Sequence, residues 1–190
     1  MILFVGLGNP TADYQNNRHN IGFKIIDAIN QNFSLSKQKP KFKGLLTTGN
    51  IDEKKIYAIK PLTFMNNSGT AIKELIDYFK IDAKDVIVFH DDMDIDFGKV
   101  KAKFGGTSAG HNGIESIDKF IGKDYSRVRI GIGHPKQKKK VNNHVLEDFK
   151  EDEEEKIKEI TENIVKQIPT LIDKKIDLFS SKVNQNLNGI

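Results

Sequence analysis

Five side chains in this 190-residue sequence could act together on a carbonyl group, because each falls where a predicted strand or helix begins or ends. His19 lies in the segment NRHNIGF, at the start of a helical pattern, and Asp91 ends a predicted strand. Asn9, Asn66 and Asn112 lie in three further loops. An imidazole oriented by a carboxylate can take a proton from water, while carboxamides can bind a carbonyl oxygen as it gains negative charge. The pattern predicts hydrolysis by water, with His19 as general base and Asp91 as its orienting partner.

His19 is the preferred base because we expect no other histidine to have a carboxylate placed to orient it. His90, His134 and His144 are interpreted as structural. An unperturbed imidazole titrates near ~6.5, so His19 needs little tuning to act at neutral pH. Arg18 is expected to anchor its own loop through a carboxylate or a carbonyl rather than to contact a substrate.

A serine nucleophile is the main alternative. Residues 106–110 read G-T-S-A-G between a predicted strand and a predicted helix, which is the context of a nucleophilic Ser108. The acid and the histidine of such a triad are available later in the chain: Asp118 or Asp124, and His134 or His144. Glycine-rich loops also let the backbone approach a ligand closely, so both interpretations stay open. Asn112, taken alone, is typical of a residue that caps a helix.

Two other ligand classes fit the sequence less well. The acidic loop HDDMDID lacks the glycine and the glutamate of an EF-hand, since Phe97 and Lys103 occupy those positions. A hydrolytic metal site that uses His90 and Asp91 is a minor alternative. The segment GLGNP has two glycines but no helix directly after them, which argues against a dinucleotide-binding turn. We expect neither a metal nor a cofactor.

The elements that must position these loops are short strands that alternate with helices. Apolar runs bounded by Gly, Asn, Asp or Pro predict strands at 2–6, 45–49, 56–60, 85–90, 99–104 and 127–133. Helical spacing predicts helices at 20–33, 69–80, 111–121 and beyond 151. The alternation predicts one α/β domain over residues 1–190, a three-layer sandwich with a mixed, mostly parallel central sheet flanked by helices. Chemistry is expected in the loops beyond the carboxyl ends of the strands: 7–20, 61–69, 90–98 and 104–113.

Composition excludes several classes of protein. The chain has no cysteine, and therefore neither a disulfide framework nor a thiol nucleophile. No stretch approaches the ~20 apolar residues of a membrane span, so we expect a soluble, cytoplasmic protein.

Residues 1–146 carry 23 Lys and Arg against 15 Asp and Glu, whereas residues 147–190 carry seven against eleven. The basic body favours a polyanionic partner, although a lysine-rich proteome would give the same bias. The segment PKQKKK at 135–140 is interpreted as a mobile, solvated loop.

Together, six motifs resemble the bacterial peptidyl-tRNA hydrolases in order and spacing: VGLGNP, Y…NRHNIGF, PLTFMNNSG, HDDMDIDFG, AGHNG and RVRIGIGHP. The resemblance runs from residue 2 to about residue 149. It implies a monomeric α/β enzyme, without a metal, that hydrolyses the ester between a peptide and the ribose of tRNA and so recycles tRNA from abandoned translation. It also implies that residues 141–190 form a lid loop and C-terminal helices.

The resemblance implies a role for each matching position. His19 corresponds to the catalytic base, Asp91 to its orienting partner and Asn9 to the residue that distinguishes blocked from unblocked aminoacyl ends. Contacts to the peptide or to tRNA are implied for Tyr14, Phe64, Met65, Asn66, His111 and Asn112. Contacts to the acceptor-stem phosphates are implied for Lys101, Lys103 and Arg129. The family does not depend on a serine at position 108, which weakens the triad; a non-catalytic tRNA-binding module is the other alternative.

Overall fold

A seven-stranded sheet covered by helices on both faces forms the scaffold of the protein, in a computed structural model that describes residues 1–135 and 141–187. The strands are β1 (Ile2–Gly6), β2 (Lys39–Lys41), β3 (Gly44–Ile51), β4 (Lys54–Pro61), β5 (Val86–Asp92), β6 (Val100–Phe104) and β7 (Ser126–Gly131). The helices are α1 (Ile21–Asn32), α2 (Ser68–Phe79), α3 (Asn112–Ile121), α4 (Val141–Leu146), α5 (Glu151–Lys166), α6 (Ile168–Ile172) and α7 (Ile176–Leu187). Apart from Pro135, the loop predicted at 135–140 lies outside the described residues.

The sheet is mixed, with a parallel centre. Its strand order is β2-β3-β4-β1-β5-β7-β6. Strands β4, β1, β5 and β7 run parallel, whereas β2, β3 and β6 are antiparallel to their neighbours. The predicted fold class is therefore confirmed. Strand β2 was not predicted, because its sequence KPK is exposed throughout and carries no apolar alternation.

Each face of the sheet has its own apolar core. Alternate residues of β1 point to opposite faces, so Phe4 joins one core and Leu3 and Val5 join the other. Helices α1, α5, α6 and α7 cover the first core, while α2 and α3 cover the second. The C-terminal helices are thus a layer of the sandwich. Among the described helices, none is both long and apolar enough to span a bilayer.

Two glycines let α1 begin in contact with the sheet. A Cβ atom on Gly22 would lie 2.4 Å from the amide nitrogen of Leu7 and 2.5 Å from the carbonyl oxygen of Phe89. A Cβ atom on Gly6 would lie 2.3 Å from the carbonyl oxygen of Gly22. Only glycine permits this approach, and it brings the turn that precedes α1 against the carboxyl ends of β1 and β5.

The loop 105–111 follows the carboxyl end of β6, but this end of β6 lies away from the carboxyl ends of the parallel strands. Because β6 is antiparallel to β7, Phe104 lies level with Ile87, at the start of β5, and not with Asp91 at its end. The loop must run back along the sheet before α3 begins. The predicted loop 104–113 therefore reaches the cleft only through its second half, residues 108–112.

Candidate active site

A cleft of about 290 Å³ lies beyond the carboxyl ends of β1 and β5. Six of the predicted site residues line it: Asn9, His19, Met65, Asp91, His111 and Asn112. The others lie outside its lining: Tyr14, Phe64, Asn66, Lys101, Lys103 and Arg129. The cleft therefore collects the predicted carboxamides of two loops around the predicted base and its acid.

His19 and Asp91 are in direct contact, as predicted across a separation of 72 positions. The distance from His19 Nδ1 to Asp91 Oδ1 is 2.8 Å. A 3₁₀ turn at Arg18–Asn20 presents the imidazole, and the end of β5 presents the carboxylate. The opposite ring nitrogen, Nε2, has no hydrogen-bond partner among the described residues and is not sealed from solvent, so it is available to a molecule in the cleft.

Burial and the contact between His19 and Asp91 shift the pKa of each residue in opposite directions. Burial alone would lower the pKa of His19, but the charge of Asp91 and the hydrogen bond to it raise that pKa above its usual 6.5. Burial alone would raise the pKa of Asp91, but His19 and His111 hold it well below its usual range. Asp91 is therefore an ionised acceptor at neutral pH.

His111 is a second imidazole on the same carboxylate, so the prediction that only His19 has an orienting acid is wrong. Its Nε2 lies 3.0 Å from Asp91 Oδ1. Its Nδ1 accepts hydrogen bonds from the backbone amides of Gly113 and Ile114, at 3.1 and 3.3 Å. His111 is thus the N-cap of α3. Asn112, interpreted as a cap when taken alone, is the first residue of the helix; histidine is not among the usual capping residues, which is why the sequence concealed this role.

A third imidazole supports this pair. His90 packs edge-on against His111, with ring centroids 4.9 Å apart, and its Nδ1 lies 2.7 Å from the carbonyl oxygen of Asp91. Burial lowers the pKa of His90 to about 3, so the ring is neutral. His90 fits the structural interpretation made from the sequence.

Asn20 is a site residue that the sequence did not single out. Its side chain accepts a hydrogen bond from the amide of Asn9 at 2.6 Å and donates one to the carbonyl of Asn9 at 3.0 Å. This reciprocal pair fixes the backbone of Asn9, which is one of the residues that line the cleft. The sequence signal that could have identified Asn20 is the second asparagine of the motif NRHN, residues 17–20.

Arg18 anchors the turn that carries His19, as predicted. The guanidinium is 3% exposed and donates to the carbonyls of His144 and Glu147, at 3.2 and 3.3 Å. Its other terminal nitrogen contacts Glu153 Oε2 at 2.9 Å. The turn is therefore tied to the segment between α4 and α5, and Val145 and Leu146 of that region line the cleft.

The remaining predicted residues do not line the cleft. Phe64 is 73% exposed, Asn66 is exposed and Tyr14 is half-buried. Lys101 and Lys103 project from β6, and Lys101 is paired across the sheet with Arg129. Arg129 is held by a contact of 2.8 Å between its Nε and Asp92 Oδ2.

The serine triad is not assembled. Ser108 lines the cleft, but within the described chain its hydroxyl contacts the Gly110 amide at 3.4 Å and no histidine. The proposed partners are engaged elsewhere: His134 with Asp94, His144 with the carbonyl of Ile132, and Asp118 with Tyr125 and Arg127. Asp124 is exposed just before β7, at the amino end of the parallel strands and therefore at the opposite end from the cleft. The triad alternative is therefore wrong.

Among the described residues, His19, Asp91 and His111 have nitrogen and oxygen atoms within 4.8 Å of one another, a spacing that a metal ion could bridge. The hydrogen bonds do not fit such a role. Because Nδ1 of His111 accepts two amides, the ring proton is on Nε2, and a protonated nitrogen cannot bind a metal. The two short bonds to Asp91 already account for the close spacing.

The geometry can be compared with proteins of known class. The sequence matches the family described as peptidyl-tRNA hydrolase over residues 3–189, so the likeness extends well past residue 149. Peptidyl-tRNA hydrolase of Pelagibacter ubique is 76% identical over 97% of this chain and 99% of its own length. That of Bartonella henselae is 48% identical over 100% and 98%. A crystal structure of peptidyl-tRNA hydrolase from Acinetobacter baumannii superposes with a TM-score of 0.90 at 31% identity, covering 97% of this chain and 94% of that one.

Proposed function

Since the chain belongs to the peptidyl-tRNA hydrolase family and hydrolyses peptidyl-tRNA, we propose that His19 carries out the proton transfer and that Asp91 orients it. The observation that carries the proposal is the 2.8 Å contact between His19 Nδ1 and Asp91 Oδ1, inside a cleft onto which Nε2 opens. Donation from Nδ1 fixes the tautomer whose Nε2 lone pair can accept a proton.

The reaction then needs one water molecule. His19 Nε2 takes a proton from the water molecule while the water oxygen forms a bond to the ester carbonyl carbon. The imidazolium that forms is stabilised by the ionised Asp91. When the tetrahedral intermediate collapses, the bond to the ribose oxygen breaks and Nε2 returns the proton to that oxygen. The products are a peptide carboxylic acid and a tRNA with a free hydroxyl group.

Carboxamides bind the peptide end in this scheme. Asn9 recognises the blocked amino group, and Asn66 and Asn112 bind the peptide or the terminal nucleotide together with Met65. Support comes from the cleft, where Asn9, Met65 and Asn112 face the same space as His19. Asn9 is also held in place by the reciprocal bonds to Asn20.

The tRNA contacts extend outward from the cleft. Lys101, Lys103 and Arg129 bind phosphates of the acceptor stem, which would make affinity salt-dependent and largely independent of sequence. The exposed aromatic ring of Phe64 and the half-buried Tyr14 offer stacking surfaces to the 3′ end. The basic balance of residues 1–146 is consistent with this arrangement.

The proposal also covers a lid over the cleft, the oligomeric state of the enzyme and its location in the cell. The α4 region forms the lid, since Val145 and Leu146 line the cleft and Arg18 ties this region to the catalytic turn. The enzyme acts as a monomer, without a metal, in the cytoplasm where translation stalls. Light scattering of the purified protein tests the monomer, and activity in the presence of a chelator tests the absence of a metal.

The test compares His19→Ala with His134→Ala, because His134 also contacts an aspartate but is exposed. The assay is release of peptide from N-acetylated aminoacyl-tRNA, with the unblocked form as substrate control. We expect a loss of about 10²–10⁴-fold in kcat for His19→Ala, with tRNA affinity unchanged, and no change for His134→Ala. Retained activity in His19→Ala would contradict the proposal; loss of tRNA affinity as well would indicate a folding or binding role.

A further inference from the structure

His111 joins two parts of the site that the proposed mechanism treats separately. One ring nitrogen accepts the amides of Gly113 and Ile114 at the start of α3, and the other contacts Asp91 Oδ1 at 3.0 Å. Both nitrogens are thus used within the protein. The side chain is 9% exposed, so little of the ring is left for a substrate to contact.

The cap determines where the proton of this ring is. An amide N–H can donate only to an unprotonated nitrogen, so Nδ1 of His111 carries no proton. The ring proton is therefore on Nε2 and points at Asp91. Protonation of Nδ1 would turn two hydrogen bonds at the positive end of α3 into repulsive contacts. His111 is accordingly held as a neutral donor.

The surroundings leave His19 as the imidazole that can exchange a proton with the cleft. From the turn before α1, His19 contacts the same oxygen of Asp91 at 2.8 Å. From β5, His90 packs on His111 as a buried, neutral ring. From β7, the buried guanidinium of Arg127 adds positive charge near His90.

We propose that His111 is a positioning residue for the reaction: it donates to Asp91 as a fixed neutral partner and so limits how tightly Asp91 retains the proton of His19. This inference rests on the proposed role of His19 as base. A carboxylate that loses one of two donors attracts the remaining proton more strongly. Without the donor of His111, His19 would stay protonated to higher pH and would be a base for a smaller fraction of molecules at neutral pH.

A substitution to asparagine separates the two roles of His111. Asparagine is a good N-cap and can accept the amides of Gly113 and Ile114, but it is too short to reach Asp91. His111→Asn therefore keeps the cap and removes the donor, whereas His111→Ala removes both. His134→Asn is the control for a histidine that contacts an exposed aspartate.

We expect the acid limb of kcat/KM to move up by about one pH unit in both His111 variants. Activity on N-acetylated aminoacyl-tRNA then falls roughly tenfold below the limb and approaches that of the original protein at higher pH. The melting temperature should fall by ~2–4 °C in His111→Ala and stay near that of the original protein in His111→Asn. His134→Asn should change neither quantity.

Two outcomes of the kinetic measurement overturn the inference. One is an unshifted acid limb in His111→Asn; the other is a loss of activity that is equal at every pH, which would indicate a structural role. A second measurement, ¹⁵N NMR of the imidazole rings, should show His111 as the Nε2–H tautomer throughout the range in which His19 titrates. Titration of His111 in step with His19 would also overturn it. Failure of the proposed base is distinguishable, because it would appear as retained activity in His19→Ala.

Discussion

Two carboxylates of this protein, Asp91 and Asp118, have the same hydrogen-bond pattern but different partners. Asp91 Oδ1 accepts from His19 and His111, at 2.8 and 3.0 Å. Asp118 Oδ1 accepts from the hydroxyl of Tyr125 and from Arg127, both at 2.7 Å. Side-chain exposure is 2% for Asp91 and 11% for Asp118, so both are largely removed from water.

The partners decide what each carboxylate does. Arg127 is always charged, and burial together with the bond to Asp118 raises the pKa of Tyr125 above its usual range, so neither partner exchanges a proton near neutral pH. Arg127 also donates to the carbonyl of Thr107 at 2.7 Å, which holds the loop that returns to the site. His19, by contrast, is an imidazole whose pKa is raised above its usual 6.5 by Asp91, so it can gain and lose a proton. Under the proposed mechanism, the comparison teaches that a buried acid can serve catalysis only through a partner that can lose its proton.

The largest effect should come from Asp91→Asn. An amide in place of the carboxylate can donate to His19 Nδ1 and would then stabilise the wrong tautomer, with its proton on Nε2. We expect kcat/KM for N-acetylated aminoacyl-tRNA to fall about 10³–10⁴-fold. Any residual activity should have its acid limb at lower pH, because Asp91 no longer raises the pKa of His19.

The control for this substitution is Asp173→Asn, which alters an exposed acid that contacts Lys54 and does not line the cleft. It should leave kcat/KM unchanged. If Asp91→Asn kept a tenth of the activity, Asp91 would be no more than a second structural acid, and the contrast with Asp118 would collapse.

The second effect is on stability and concerns Arg127→Met. Removing the guanidinium leaves Asp118 with one neutral partner, and breaking a buried pair costs about 3–5 kcal/mol. We expect the free energy of unfolding, measured with urea at pH 7, to fall by that amount. Below the unfolding transition, kcat/KM should fall by far less than in Asp91→Asn, because no proton of the reaction passes through Arg127.

A double variant, Arg127→Met with Asp118→Asn, is the matched control. It removes the uncompensated charge and should recover much of the lost stability. A thousandfold loss of kcat/KM in the single variant would show that the two carboxylates do not have separate roles.

The smallest effect is the pH dependence of stability. The pKa of His19 is raised in the folded state, so its pair with Asp91 stabilises the protein fully below pH ~6.5 and loses that contribution as pH rises through the folded pKa. The pKa of Asp91 is lowered, so its contribution is present above 3.8 and is lost as pH falls below that value. The pair of Arg127 and Asp118 adds no pH dependence to stability near neutral pH, because the guanidinium stays charged.

Urea titrations between pH 5 and pH 9 on the original protein and on His19→Gln measure the contribution of His19 to the free energy of unfolding. The original protein should lose stability relative to the variant as pH rises, by about 1.4 kcal/mol for each unit by which the pKa of His19 is raised. Parallel pH profiles for the two proteins would mean that folding does not perturb His19.

Much of the fold was predictable because burial leaves a local pattern. Strand β1 is apolar up to its final glycine and β5 begins with four apolar residues, since helices cover both faces of the sheet. Helices α1, α2 and α3 show a buried face at helical spacing. The same logic located the loops after β1, β4 and β5, and thereby paired His19 with Asp91. Strand β2 escaped prediction because nothing in it is buried.

What the sequence alone determined was therefore the fold class, the main strands and helices, and the His19–Asp91 pair. Only the tertiary structure decided that β6 runs antiparallel, that its loop returns along Arg127, and that His111 meets Asp91. It also decided that Glu153 of an acidic helix start binds Arg18. The physical reason is range: periodicity reports whether a residue is buried, whereas strand direction and the partner of a side chain depend on packing between distant segments.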